Sequence, residues 1–193
     1  MTSPASTSSP ATTTATTAAS VWTIDPAHTL VEFSARHMMV SSVKGRFTDV
    51  QGTITDIGDD PSRSSVDIQI AAASINTADP RRDGHLASAD FLDAEQFPTI
   101  TFKSRRVNGS GQDFKLIGDL SIHGQTREVG LDVTFNGVGT SPYGQTIAGF
   151  SASTKINRKD FGLNWNVGLE AGGVLVGDQL KIEIELEAIK KEA

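Results

Sequence analysis

The sequence predicts an all-β chain closed into an antiparallel barrel of about eight strands with one short inserted helix. Three observations carry that expectation. Apolar and polar residues alternate with period two through most of the chain. The joins between alternating segments are short and rich in Gly, Asn, Asp and Pro, which is hairpin chemistry. No strand–helix alternation runs along the chain, so a parallel sheet is not expected.

The 193 residues open on a segment apart, because every residue from Thr2 to Ser20 is Ser, Thr, Ala or Pro. Such a stretch buries too little apolar area to offset an ordering entropy of about 1–2 kcal/mol per residue. Residues 1–20 are expected to be disordered, with one folded domain over 21–190. The start lacks the basic and apolar regions of a secretory signal. A cytoplasmic location is therefore expected.

The first strand pattern sets Val31, Phe33 and Ala35 against Glu32, Ser34 and Arg36, and its dry parity continues to His37. Val43, Gly45 and Phe47 begin the next pattern. Its parity switches to Val50 and Ile54, which predicts a bulge near Asp49 to Gln51. Gly58-Asp59-Asp60-Pro61 reads as a turn. Val66, Ile68, Ile70 and Ala72 then oppose Ser65, Asp67 and Gln69. Between Ile75 and Thr99 the period breaks. Asp79 is a fitting N-cap with Pro80 at the first helical position, and Leu86, Asp90 and Phe91 recur at helical spacing. A short helix is expected at about 81–92, with Gly84 its weak point.

Alternation resumes at Ile100 and Phe102, then at Phe114, Leu116, Leu120 and Ile122, then from Val129 to Phe135. It is weaker over Ile147 to Ile156, where Phe150 stands. Asn157 to Gly173 is irregular and glycine-rich, with Phe161, Leu163 and Trp165 suited to folding over one end of the sheet. The last strand is the clearest. Leu180, Ile182, Ile184, Leu186 and Ala188 share one parity, and Gln179, Lys181, Glu183, Glu185 and Glu187 the other. Long strands with one apolar face must bury it, as a sandwich or as a closed barrel. Up-and-down connectivity favours the barrel, which at eight strands either fills with side chains or holds one small ligand.

Composition narrows the chemistry. The absence of cysteine excludes disulfides, thiol nucleophiles and Cys-based metal sites. A net charge of −6 argues against nucleic acid as partner and against electrostatic docking on anionic membranes. No apolar run approaches the roughly 20 residues of a membrane-spanning helix. The histidines His28, His37, His85 and His123 have no metal-ligand spacing, so no metal is expected. His28 is expected to cap a strand start, and His123 to bond backbone in its His-Gly turn. There is no nucleophile elbow, phosphate-binding loop or paired acid–base signature, so no catalytic residue is assigned. Arg81-Arg82-Asp83-Gly84-His85 reads either as a polar rim meeting a ligand head group or as a solvated helix face, and Arg158-Lys159-Asp160 invites the same two readings. Inward positions carry phenylalanines and also the small residues Ala35, Gly45, Ala72, Gly118 and Ala152, which are expected to leave volume unfilled.

Trp22-Thr-Ile-Asp-Pro-Ala-His28, Val31-Glu-Phe-Ser-Ala-Arg-His-Met38, Val43-Lys-Gly-Arg-Phe47 and Arg82-Asp-Gly-His-Leu86 form an ordered set of motifs. Phe97-Pro-Thr-Ile-Thr-Phe102, Gly118-Asp-Leu-Ser-Ile-His-Gly124 and Ile156-Asn-Arg-Lys-Asp-Phe-Gly162 continue it. With these the chain resembles the YceI-like family, also described as polyisoprenoid-binding or base-induced periplasmic proteins. The resemblance implies a lipocalin-like, extended eight-stranded barrel around an apolar tunnel. It implies non-catalytic binding, storage or transport of a long isoprenoid or similar amphiphile of polyprenyl, quinone or fatty-acyl type. That lipid would be a bound guest, with no other cofactor, and a homodimer would suit such a barrel. Carried over, the tunnel is expected to be lined by Phe33, Ala35, Phe47, Ile68, Ile70, Ile75, Phe102, Leu120, Phe135 and Phe150. Leu86 and Phe91 are expected to join the lipid-binding set, Leu163 and Trp165 to close an entrance, and His37, Arg82 and His85 to form the tunnel's polar end. Two other readings stay open. One is an enzyme acting on a hydrophobic substrate through His37, Asp83 and His85. The other is a filled barrel serving as a structural module.

Overall fold

The computed structural model describes residues 19–56, 64–170 and 172–192. The expectation for residues 1–20 therefore falls almost wholly outside the described residues, as does the turn at Gly58 to Pro61. Among the described residues there are eleven strands and one α-helix. They are β1 (Ser20–Ile24), β2 (Leu30–His37), β3 (Ser41–Phe47), β4 (Val50–Asp56), β5 (Ser65–Ala71), β6 (Ile75–Asn76), α1 (Pro80–Ala87), β7 (Thr99–Asn108), β8 (Asp113–Ile122), β9 (Gln125–Thr140), β10 (Thr146–Asn157) and β11 (Val176–Lys190).

The ring runs β1-β4-β5-β7-β8-β9-β10-β11, and β11 pairs back onto β1. All pairings are antiparallel, so the sheet closes as an eight-stranded barrel. The three remaining strands extend three of those eight. Along the edge away from β10, β11 is long enough for two partners: its Ala188–Lys190 part pairs with β1, and its Val176–Glu185 part with β2. The chain between β1 and β2 turns at Pro26–His28, a single turn of 3-10 helix capped by the Asp25 carboxylate. β3 passes into β4 through Thr48 and Asp49, which leaves both Phe47 and Val50 facing inward. The expected parity switch is there, one residue earlier than the sequence suggested. β5 passes into β6 through a second 3-10 turn at Ala72–Ser74.

α1 begins as expected. The Asp79 carboxylate accepts the N–H groups of Arg81 and Arg82, and Pro80 sits where no intrahelical donor is needed. It ends earlier than expected, at Ala87 and not near residue 92. The Ser88 hydroxyl and N–H both return to the His85 carbonyl at 2.7 and 3.1 Å, which terminates the helix. Residues 88–97 continue as turns, tied by Leu92 N–H to the Leu86 carbonyl and by Ala94 N–H to that of Ala87.

Candidate ligand-binding cavity

Burial divides the interior into two clusters along the barrel. One is built around Trp22, Val50, Phe102, Leu116 and Val133. The other is built around Ile75, Leu92, Ile100, Ile122, Phe161 and Leu163 at the α1 end. Between and through them runs a cavity of about 430 Å³, within the 300–1,000 Å³ usual for small-molecule sites. At about 24 cal/mol per Å³, a dry void of this size would cost on the order of 10 kcal/mol, comparable to the whole net stability of a domain. Its wall is apolar apart from Glu32, Ser64, Thr154 and Arg158. Seven of the nine phenylalanines contribute to it.

The small inward residues do not act as one group. A Cβ on Gly45 would meet the Phe33 ring and, at 2.7 Å, the Thr77 methyl. One on Gly118 would meet the Phe102 ring and the Lys103 carbonyl, both at 2.5 Å. These two glycines are notches that receive flat-lying rings, so their missing volume is filled, contrary to expectation. Ala72 is buried in a turn and does not line the cavity. Ala35 and Ala152 do line it, and there the expected open volume exists.

Leu86, Phe91, Leu92 and Leu163 line the α1 end and are at most half exposed. Behind Phe91 stand His85 and Trp165, with the three rings 4.7–5.2 Å apart in tilted and edge-on contacts. The two lining residues that are exposed, Gly111 and Val138, belong to the opposite end.

Every apolar residue expected in the tunnel lines the cavity except Trp165, which backs the lining. The expected polar end is different. His37 keeps the inward parity opposite Val176 but lies outside the lining. Arg82 donates to the Thr77 hydroxyl and carbonyl at 2.8 and 2.9 Å, and Asp83 accepts the Thr77 N–H at 2.8 Å. Both side chains lock the turn into α1. His85 contacts Asp90 at 2.9 Å. His37, Asp83 and His85, the acid–base candidates, are all absent from the cavity wall.

Of the four polar residues in the wall, Arg158 is the most buried, with 2% of it exposed. Its guanidinium donates to the carbonyls of Gly177, Leu163 and Trp165 and to the Asp178 carboxylate. It thereby ties the segment after β10 to the start of β11. Asp178 also meets Lys159 at 2.8 Å. The Lys159 hydrogen bond, helped by the charges of Lys159 and Arg158, holds the Asp178 carboxyl below its ordinary value. One carboxylate thus serves two cations. Thr154, on β10, stands two inward positions before Arg158, which opens the 3-10 turn after that strand, and its hydroxyl donates to the Gly130 carbonyl. The sequence held one signal for Arg158, the Ile156 to Gly162 motif, but not its direction.

Two histidines differ in detail from expectation. His123 is in its turn at φ 51°, and its ring packs edge-on against Phe97. His28 does sit at a strand start, 2.8 Å from Asp25 and 3.8 Å from Glu187, and these carboxylates raise its pKa above the ordinary value. Among the described residues, Asp25, His28 and Glu187 also form a group with metal-ligand proximity. Of the three only His28 is exposed, and none lines the cavity.

A family model for the YceI-like domain matches residues 22–188. The chain belongs to the YceI-like family. A UPF0312 protein of Staphylococcus aureus strain MSSA476 is 40% identical over 171 residues, covering 86% of this chain and 95% of the relative. Among solved structures, BcnA of Burkholderia cenocepacia superposes with a TM-score of 0.71 at 24% identity, over 85% of this chain and 98% of that one. A polyisoprenoid binding domain from Saccharophagus degradans, implicated in plant cell wall breakdown, superposes at 0.65 with 13% identity, over 88% and 98%. At these identities the two structures share the fold of the YceI-like chain. Among the described residues no helix is long and apolar enough to cross a membrane.

Proposed function

We propose that this YceI-like protein binds, stores or carries one long-chain isoprenoid or similar amphiphile in the barrel cavity, without catalysis. The observation that carries the reading is the continuous apolar wall, rich in phenylalanine, around about 430 Å³. The polyisoprenoid binding domain of Saccharophagus degradans, which has this fold, supports the same class of guest. Each methylene buried in such a wall contributes about 0.8 kcal/mol. Several isoprene units therefore offset the cost of association. Selection acts on chain length and girth, because an apolar wall offers few directional contacts. A quinone, amide or carboxylate head group has acceptor oxygens that suit the Arg158 guanidinium, whose five N–H donors outnumber its four protein contacts.

The test is mass spectrometry of organic extracts from the purified protein, together with uptake of a fluorescent prenyl or acyl probe. A stoichiometric lipid in the extract, or saturable uptake, is the expected result. An Ala152→Phe variant, which places a ring where the wall is now small, is expected to lose most of that uptake while staying folded. Protein that extracts empty and takes up neither probe overturns the proposal.

A further inference from the structure

At the α1 end, the hairpin from β2 to β3 is tipped by Met38-Met39-Val40, with 45%, 53% and 80% of each residue exposed. Met38 and Met39 have φ of 49° and 60°, the left-handed region where glycine is the usual occupant. The tip is nevertheless well fixed. The Arg36 guanidinium donates to the Met39 carbonyl at 2.6 Å, Val40 N–H to the His37 carbonyl at 3.1 Å, and Met38 N–H to the Leu175 carbonyl at 2.8 Å. Leu175 N–H in turn donates to the carbonyl of Val167, another exposed apolar residue. The apolar finger is therefore tied to the same segment that supplies Leu163 and Trp165 to the cover of the cavity.

Next to the finger, strand register lines up cations. On the outer face Lys155 lies opposite Lys181, Lys181 opposite Ser34, and Ser34 opposite Lys44. Arg36 and Arg46 flank this row along β2 and β3. All five side chains are exposed. Lys155 and Lys181 face each other directly, an arrangement of like charges that destabilises a sheet. The carboxylates set among them are Glu183, 2.6 Å from Lys181, and Glu32, opposite Arg46. Cations prevail locally in a chain whose net charge is −6.

We infer that this end of the barrel docks on an anionic phospholipid bilayer. Met38, Met39 and Val40 enter the headgroup region while the Lys and Arg row meets lipid phosphates. An inserted apolar group and a basic patch are the two signals that together give stable peripheral attachment. Long basic stems also lie comfortably along an apolar boundary with their charges reaching phosphate. An acidic protein partner would satisfy the charges, but a projecting aliphatic tip suits insertion into lipid better than packing against a protein surface. Docking in this orientation sets the cover of the cavity against the bilayer.

The test is cosedimentation of the full chain with vesicles of phosphatidylcholine alone and of phosphatidylcholine mixed with phosphatidylglycerol. Binding is expected on the mixed vesicles and should fall as salt shortens the screening length. Each cation removed by Lys44→Gln or Lys181→Gln should weaken partition about fivefold, and Val40→Asp about tenfold. Lys115→Gln, on β8, should change nothing. Unaltered thermal midpoints for these exposed positions separate docking from folding. Equal partition on both vesicle types, or unchanged partition of the Lys44→Gln and Lys181→Gln variants, overturns the inference. So does a Val40→Asp effect confined to capture of an acidic protein. Cavity lipid in the extract is read separately, so either idea can fail alone.

Discussion

Arg158 holds three backbone carbonyls and shares Asp178 with Lys159. Replacing it by methionine keeps the aliphatic stem but leaves those carbonyls without their donor. Asp178 is well exposed, so the lost ion pair itself contributes little. The orphaned carbonyls dominate, and Arg158→Met should cost about 3–5 kcal/mol in urea unfolding, with a shifted Trp165 emission. His28 makes a second residue-scale prediction. Its hydrogen bond to Asp25, with the charges of Asp25 and Glu187, raises its pKa above 6.5. Its stabilising contribution is therefore complete below pH 6.5 and is lost as pH rises through the folded value. An NMR titration of His28 should show the raised midpoint, and Asp25→Asn should return it toward 6.5. Residue types revealed which groups are polar, but not which way they point. The Arg82 and Arg158 motifs look alike in sequence. One is spent on Thr77 and the other reaches the cavity, because Arg158, in the 3-10 turn just past β10, continues the inward parity of Thr154 and Ile156.

Strands and turns were largely legible because alternation and caps are local. The Asp79 cap is an example, and Asp79→Ala should lower stability by about 0.5–2 kcal/mol in urea unfolding. The expected helix overran by a turn because Asp90 and Phe91 keep helical spacing while Ser88 has already captured the His85 carbonyl. Glycine was the harder signal. Gly118 alternates with inward residues as a void would, yet the Phe102 ring and the Lys103 carbonyl occupy that space. Gly118→Ala should therefore destabilise by roughly 1–3 kcal/mol. It should also swing the Phe102 ring toward the cavity, measurable as reduced probe uptake. A pattern of small residues predicts room, but the neighbour across the sheet decides who uses it.

At the scale of the whole molecule, cavity and stability are coupled. A guest that binds only the folded chain adds about 2.7 kcal/mol at a hundred times its dissociation constant. Protein stripped of lipid should therefore melt several degrees below protein reloaded with a prenyl or acyl guest, by calorimetry at equal protein concentration. The charge balance also behaves differently here. The net charge of −6 argued against anionic membranes, but a total is silent about segregation. The Lys155, Lys181 and Lys44 row exists only because β10, β11, β2 and β3 lie side by side in that register. Period-two patterning, turn residues and the helix cap by themselves determined the strands, their inward faces and the all-β class, since each depends on neighbours close in the chain. Closure of β11 onto β1, the hollow that remains, the burial of Arg158 and the cation row were decided by the tertiary structure alone. Closure and the cation row depend on contacts between residues more than a hundred positions apart, such as Trp22 with Lys190 and Ser34 with Lys181, and no local pattern encodes which distant strands become neighbours.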